Sequence, residues 1–537
     1  MLTLILLVSS FPGINFPPSV GERVAASPAG AAELAPPAPP ESSGSAALAA
    51  REIHVQAGDN LQAALNSARP GDTIFLEAGA TYVGNFRLPK KEGTDWITIR
   101  SAAADSALPP PGSRVSPAHA PALPKIISPN SAPALATERG AHHYRLECIE
   151  FGIAPNVMLN YGIVRLGDGG KEQNSLEVVP RDLVIDRCYI HGHPTADVSR
   201  GIALNSGQTA VINSYISECH GIGFDTQAIC GWNGPGPFEI INNYLEGAGE
   251  NVMFGGADPQ IPNLVPSDIT FRRNHCAKPL AWREGILAKP TNLLLSGVSA
   301  TSSGLFIGST YYYRVAGRGR AGFKTMATSA ASDEIAVTLS VGQNAVALTW
   351  SPVALASEYR VYRTSDPPEA PARTWVYYTV TANAFTDIGD LLSVGNDSQP
   401  PERGTRWTVK NLFELKNARR VLIEGNVFEN NWLDAQTGYA IVFKSANQNG
   451  GAPWTVTEDV TFTNNIVRHT GAGINVLGES SNFPSEQVKR VEISNNLFED
   501  VDKAKWGGDG NFLKITDVTD VQVEHNTVLH TGSIILA

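Results

Sequence analysis

Between Gly223 and Glu284 the sequence brings together Asp225, Gln227, Glu250, Asn251, Asp258, Lys278 and Arg283, interleaved with Trp232, Phe254 and Trp282. Acids, amides, cations and flat aromatic faces in one stretch suit β-elimination on an acidic, uronate-containing polysaccharide. In that reaction a base removes the proton beside a uronate carboxylate. A cation neutralises the carboxylate and stabilises the enolate-like transition state. On this reading Lys278 is the base, Arg283 neutralises the carboxylate, and Glu250 completes the catalytic set. Asp225, Glu250 and Asp258 are hard oxygen donors of the kind that hold Ca²⁺, the one cofactor expected. Gln227 and Asn251 would contact a sugar, and Trp232 and Trp282 would give its rings flat apolar faces. Each residue also has a plainer reading. Glu250 with Asn251 completes a buried hydrogen-bond network, the aspartates are solvated turn residues, and Lys278 and Arg283 belong to a surface loop. Glycoside hydrolysis, which needs two opposed carboxylates, has Asp225, Glu250 and Asp258 to draw on.

These residues ride on a repeat. Strand-like segments DRCYI, INSYI, INNYL, RRNHC, EGNVF, TNNIV, SNNLF and EHNTV align Cys188, Ser214, Asn243, Asn274, Asn426, Asn465, Asn496 and Asn526. A second strand ahead of each aligns Leu166, Asn205, Gly231, Phe254, Leu415, Lys444, Leu477 and Ile515. Turns of roughly 20–40 residues that each give short strands to shared sheets build a stacked coil. Asn at a repeated corner can bond the Asn of the next turn, about 4.8 Å away. The Asn column is therefore scaffold, with Asn243 beside Asn274, and Gln227 and Glu250 fall one rung apart.

The first ordered segment, GDNLQAALNSARPGDTIFLEAGATYVGNF, places Leu61, Ala64, Leu65 and Ala68 on one helical face, which Pro70-Gly71 ends. It is similar to the capping segment of the pectate-lyase-like superfamily, and that resemblance implies an all-β fold, a right-handed parallel β-helix solenoid closed by an N-terminal helical cap. It implies no particular activity. The Asn-Thr-Asp, Asp-Asp and Gly-His-Gly pattern of polygalacturonases is missing, as is the Arg-X-Pro-X-X-Arg of typical pectate lyases. Cys219-His220-Gly221 is a partial echo only. No catalytic residue transfers from either family.

One spacing, Asn274 to Asn426, is far longer than the others. Removing residues 289–402 leaves an ordinary turn, and inside them GSTYYYRVAGRGRAGFKT and NAVALTWSPVALASEYRVYRT alternate in antiparallel style. The second, with Trp350 and the Tyr-Arg-Val-Tyr strand, resembles a fibronectin type III module, a spacer or weak binder. The organisation is then a signal-peptide region at 1–24, an Ala/Pro-rich linker at 25–51, β-helix at 52–288, an inserted β-sandwich at 289–402 and β-helix again at 403–537. The closing HTGSIILA brings no polar cap, as in a piece of a longer solenoid.

A formal charge of −11 without a basic run argues against nucleic acid. MLTLILLVSSF reads as a secretion signal, too short to span a bilayer, and no later stretch is a membrane candidate. Five scattered cysteines suit buried free thiols. The expectation is a secreted or cell-surface monomer with a polysaccharide substrate or ligand. It is either a polysaccharide lyase, a glycoside hydrolase, or a non-catalytic adhesion or binding protein, for which the same components serve equally well.

Overall fold

The computed structural model describes residues 50–537, except 303, 391–394, 397–398 and 480–482, together with Thr3–Ile5. The expected signal region and the linker lie outside the described residues, apart from Thr3–Ile5, Ala50 and Arg51.

Three long sheets of in-register parallel strands, of 13, 11 and 11 members, form a right-handed β-helix. Each full coil gives one strand to each sheet: Phe238–Ile241 to the first, Tyr244–Gly247 to the second and Glu250–Phe254 to the third. Alternation decides which side chains point inward. Ile202, Ile229, Val252, Phe413 and Ile441 stack through the core from successive third-sheet strands. The cap helix Leu61–Ser67 closes one end, with Leu61 and Leu65 buried and the Asn60 side chain accepting from the Ala63 amide at 2.9 Å. Toward the other end Thr3–Ile5 runs parallel to Thr519–Glu524.

The corner between the first and second sheets is a tight turn. The residue before each column position takes a left-handed backbone, with φ of 57° at Asn242, 52° at Arg273 and 65° at Gly425. The Asn that follows bonds the next coil twice: Asn243 donates from its backbone N and from Nδ2 to Asn274 Oδ1, at 2.9 and 3.0 Å. The pattern continues through Asn426, Asn465, Asn496 and Asn526. Each of these buried amides is thus satisfied by the coil next to it.

Residues 289–402 interrupt a coil between its second-sheet strand, His275–Ala277, and its third-sheet strand, Asn411–Leu415. They contain two antiparallel sheets. One joins Leu294–Val298, Ala345–Thr349 and Ala384–Asp387. The other is built around Thr310–Ala321 and Glu358–Thr364. The insert's Tyr313, Val315, Leu348 and Trp350 share one apolar cluster with Ala248, Trp282, Leu287, Trp407, Val409 and Trp432 of the solenoid. All five cysteines are buried and unpaired.

The structure corrects the second column at three turns. Leu166 pairs with Leu204 rather than Asn205, Leu415 with Phe443 rather than Lys444, and Ile515 with Val476 rather than Leu477, while Lys444 and Leu477 do pair with each other. A one-residue slip turns every side chain of a strand to the other face. The inward place goes to the apolar residue, and Lys444 faces outward.

Candidate functional site

In register, Arg200, Gln227, Glu250 and Asn411 form one outward column on the third sheet. Glu414, opposite Met253, stands in the next. Gln227 Nε2 donates to Glu250 Oε2 at 2.6 Å, and both side chains are fully buried. Glu414 is equally buried and accepts from Asn411 Nδ2 at 3.3 Å. Around this carboxyl pair stand three ammoniums. Lys444 Nζ and Lys416 Nζ lie 3.0 and 3.6 Å from Glu414 Oε1. Lys410 Nζ is bonded to Asp225 Oδ1 and lies 3.8 Å from Glu250 Oε1. Asp225 and Lys444 are the more open members, so the cluster meets solvent through them.

The segment that leads from the insert back into the solenoid helps to build this patch. It seats the Asp225 loop: Thr408 N donates to Gly221 O at 2.9 Å and Gly223 N to Thr408 Oγ1 at 2.7 Å. Lys410 follows directly, and Lys410 N reaches the carbonyls of Ala248 and Gly249.

Electrostatics separates the two carboxyls. Burial, and then the charge of Glu414, push Glu250 up to about 7. Burial pushes Glu414 the same way, but Lys416, Lys444 and a hydrogen bond with Glu250 outweigh it and hold Glu414 below its ordinary value. Lys416 is raised despite its burial, because Glu414 and Glu250 stabilise its charge. The environment thus favours the protonated form of Glu250 and the ionised form of Glu414. Gln227 Oε1, Glu250 Oε1, Asn411 Oδ1 and Glu414 Oε1 are all buried acceptors without a well-directed hydrogen-bond donor among the described residues.

The residues singled out in the sequence are divided between several places. Gln227, Glu250 and Asp225 belong to the cluster just described. Trp232 stands beside it, with Arg200 over its ring at 4.9 Å and its Nε1 donating to Gly169 O at 3.1 Å. Asn251 and Lys278 face inward instead. Lys278 is fully buried, and its ammonium is spent on the carbonyls of Gly247, Ala248 and Gly249 (2.5, 3.0 and 3.3 Å) and on Asn251 Oδ1 at 3.0 Å. Burial pushes its pKa down to about 7. Trp282 is packed into the cluster shared with the insert, at 5.4 Å from His220. Arg283 stacks on Trp506 at 5.1 Å and donates to Lys505 O. Asp258 ties down a loop, accepting from the amides of Asn449 and Gly451.

The oxygen donors Asp225, Glu250 and Asp258 do not fit a calcium ion. The Lys410 ammonium stands between the first two, and the third is engaged by backbone amides elsewhere.

Glu414, Lys416, Lys410 and Lys444 are the members that sequence reasoning passed over. Their signal is alternation: in NLFELK and IVFKS the charged residues occupy the outward phase of a strand whose other phase is apolar. The slipped alignment hid Lys444 among inward positions and replaced Arg200 with Gly201.

No protein-family model and no curated protein matches the chain. Among solved structures the chain is similar to an alginate lyase from Paenibacillus sp. str. FPU-7 at 12% identity, covering 89% of this chain and 99% of that one, with a TM-score of 0.35. It is similar to the pectate lyase Pel9A at 9% identity, over 82% and 79% of the two chains, with a TM-score of 0.31. It is also similar to the catalytic domain of a GH87 α-1,3-glucanase at 10% identity, over 91% and 68%, again at 0.31. Likeness this distant carries no argument about activity, and the fold rests on the chain's own sheets.

Proposed function

We propose that the chain is a polysaccharide lyase acting on a uronate-containing polymer, with its centre at Glu250, Glu414, Lys410, Lys416 and Lys444. The observation that carries this reading is a pair of buried carboxyls, Glu250 and Glu414, ringed by three ammoniums. Whenever Glu250 carries a proton, three lysines face two carboxylates, Asp225 and Glu414, and the surplus positive charge of that form suits an acidic sugar. Lys444 and Lys410, at the open side, neutralise the uronate carboxylate. As Lys444 swings out to that carboxylate it uncovers Glu414, which accepts the proton beside it. As the electrons of the C–H bond form the new double bond, the leaving glycosidic oxygen departs and takes the proton held by Glu250. Trp232, backed by Arg200, offers an apolar face for a neighbouring ring.

Hydrolysis by this centre is disfavoured, because it needs carboxyls on either side of the bond, about 5 Å or more apart, and these two stand side by side on one face of neighbouring strands. The test is to incubate purified protein with pectate, alginate and glycosaminoglycans and follow the ultraviolet absorbance of the unsaturated product. Glu414→Gln and Lys444→Ala should each lower turnover by about 10²-fold or more, with folding intact. New reducing ends without absorbance, or variants as active as wild type, would overturn the proposal. Binding without turnover would favour the adhesion reading.

A further inference from the structure

A second cleft opens where the insert returns to the solenoid, a cavity of about 560 Å³ within the size range of ligand pockets. The short helical segment Ala281–Glu284 supplies Arg283 and Glu284. The return segment supplies Glu402, Arg403 and Arg406. Trp432 and Leu433 of one coil and Trp506 of a later one complete it. The aromatic wall is held in place: Trp506 Nε1 donates to Asp500 Oδ2 at 3.0 Å, Leu433 N donates to Trp506 O at 2.9 Å, and Trp432 is buried in the shared apolar cluster. Leu433 is half exposed and gives the cleft an apolar surface.

The charges are not equally available. Arg406 is paired with Asp434 at 2.8 Å, Arg283 lies on Trp506 and the Lys505 carbonyl, and Glu402 is bonded by Arg314 at 2.6 Å. Arg403 is exposed and has no hydrogen bond or ion pair among the described residues. A free guanidinium fork is shaped for a carboxylate or sulfate. Glu284 can accept from hydroxyls, and the open Leu433 side chain beside the edge of Trp506 suits the apolar face of a pyranose ring. One ligand class has an anionic substituent, several hydroxyls and an apolar ring face together.

We infer that this cleft is a non-catalytic binding site for an anionic saccharide unit, with Arg403 as its charge-recognising residue. The site exists only because the insert's return segment crosses the solenoid there, and it requires no particular chemistry at the third sheet. The experiment is calorimetric titration of the full chain with short oligomers of galacturonate, of mannuronate and of chondroitin, and with neutral cellotriose. It is run in the Glu414→Gln background to prevent turnover. Expected is binding of at least one of the acidic oligomers, weakened by about tenfold in Arg403→Ala and partly restored in Arg403→Lys. Lys444→Ala should leave this component in place. Arg403 makes no contact that the fold needs, so its replacement leaves the melting temperature unchanged. The inference is overturned if Arg403→Ala binds every acidic oligomer as well as its parent, if no acidic oligomer binds, or if cellotriose binds as tightly. A loss that appears only in Lys444→Ala would also overturn it and place all binding at the third sheet.

Discussion

Glu250 and Lys278 are both wholly enclosed, and burial drives each toward its neutral form with opposite consequences for pH. Glu250 is raised from 4.5 to about 7. Across that window the folded chain keeps a proton that the unfolded chain has released, so stability falls as pH rises. Lys278 is lowered from 10.5 to about 7. From there up to its unfolded value the unfolded chain holds the extra proton, and stability rises with pH. Urea unfolding at a series of pH values should therefore show that Glu250→Gln flattens the acid-side slope and Lys278→Met the alkaline one. Lys278→Met should also cost on the order of 2 kcal/mol, since four enclosed oxygens lose their donor. Slopes identical to wild type would refute the assignment. The residue proposed from the sequence as a base is thus a strut, joining the Gly247–Gly249 corner to Asn251.

At the scale of elements, the Asn column is the device that fixes one coil on the next. Asn426 is its most consequential member, because the coil it closes has been cut open by the insert, and Asn274 reaches it across 152 residues of chain. Asn426→Ala would leave the Asn274 amide and its own partners unsatisfied in a dry corner, a loss of about 1–3 kcal/mol. Asn426→Ser should be milder. Ser214 already fills this role at an earlier coil of the ladder, accepting from the Cys188 amide at 3.1 Å through its hydroxyl. Chemical denaturation of the two variants checks the order; an alanine variant no weaker than the serine one would show that the ladder contributes nothing.

At the scale of the molecule, the insert is integral to the fold rather than an appendage. Asp197 of the solenoid accepts from the insert's Phe323 amide at 2.9 Å and from Ile222 N at 3.2 Å, and Gly322 N donates to Thr195 O at 2.7 Å. Excising 289–402 and joining the ends with a short linker would uncover Trp282, Leu287, Trp407 and Trp432 together. It would also release the segment that seats Asp225 and Lys410. The expected product binds a hydrophobic dye, associates in size-exclusion chromatography and lacks activity even where it remains soluble. A monomeric, fully active deletion protein would show that the insert is dispensable.

The sequence by itself determined the solenoid, the cap helix and the Asn ladder. They follow from local signals: strands and a corner Asn that recur from turn to turn, and the one apolar helical face of Leu61, Ala64, Leu65 and Ala68. It also placed Gln227 beside Glu250, since both lie in the same phase of adjacent strands. The identity of the carboxyl that faces Glu250 was decided only in three dimensions. Glu414 is brought next to it by a strand 164 positions later, after the insert has been looped out. The direction of Lys278 was equally out of reach, because a lysine ending a strand reads the same whether its ammonium meets water or a ring of buried carbonyls. Periodicity reports which face a residue occupies; charge partners and burial depend on which distant strands stack and what covers them.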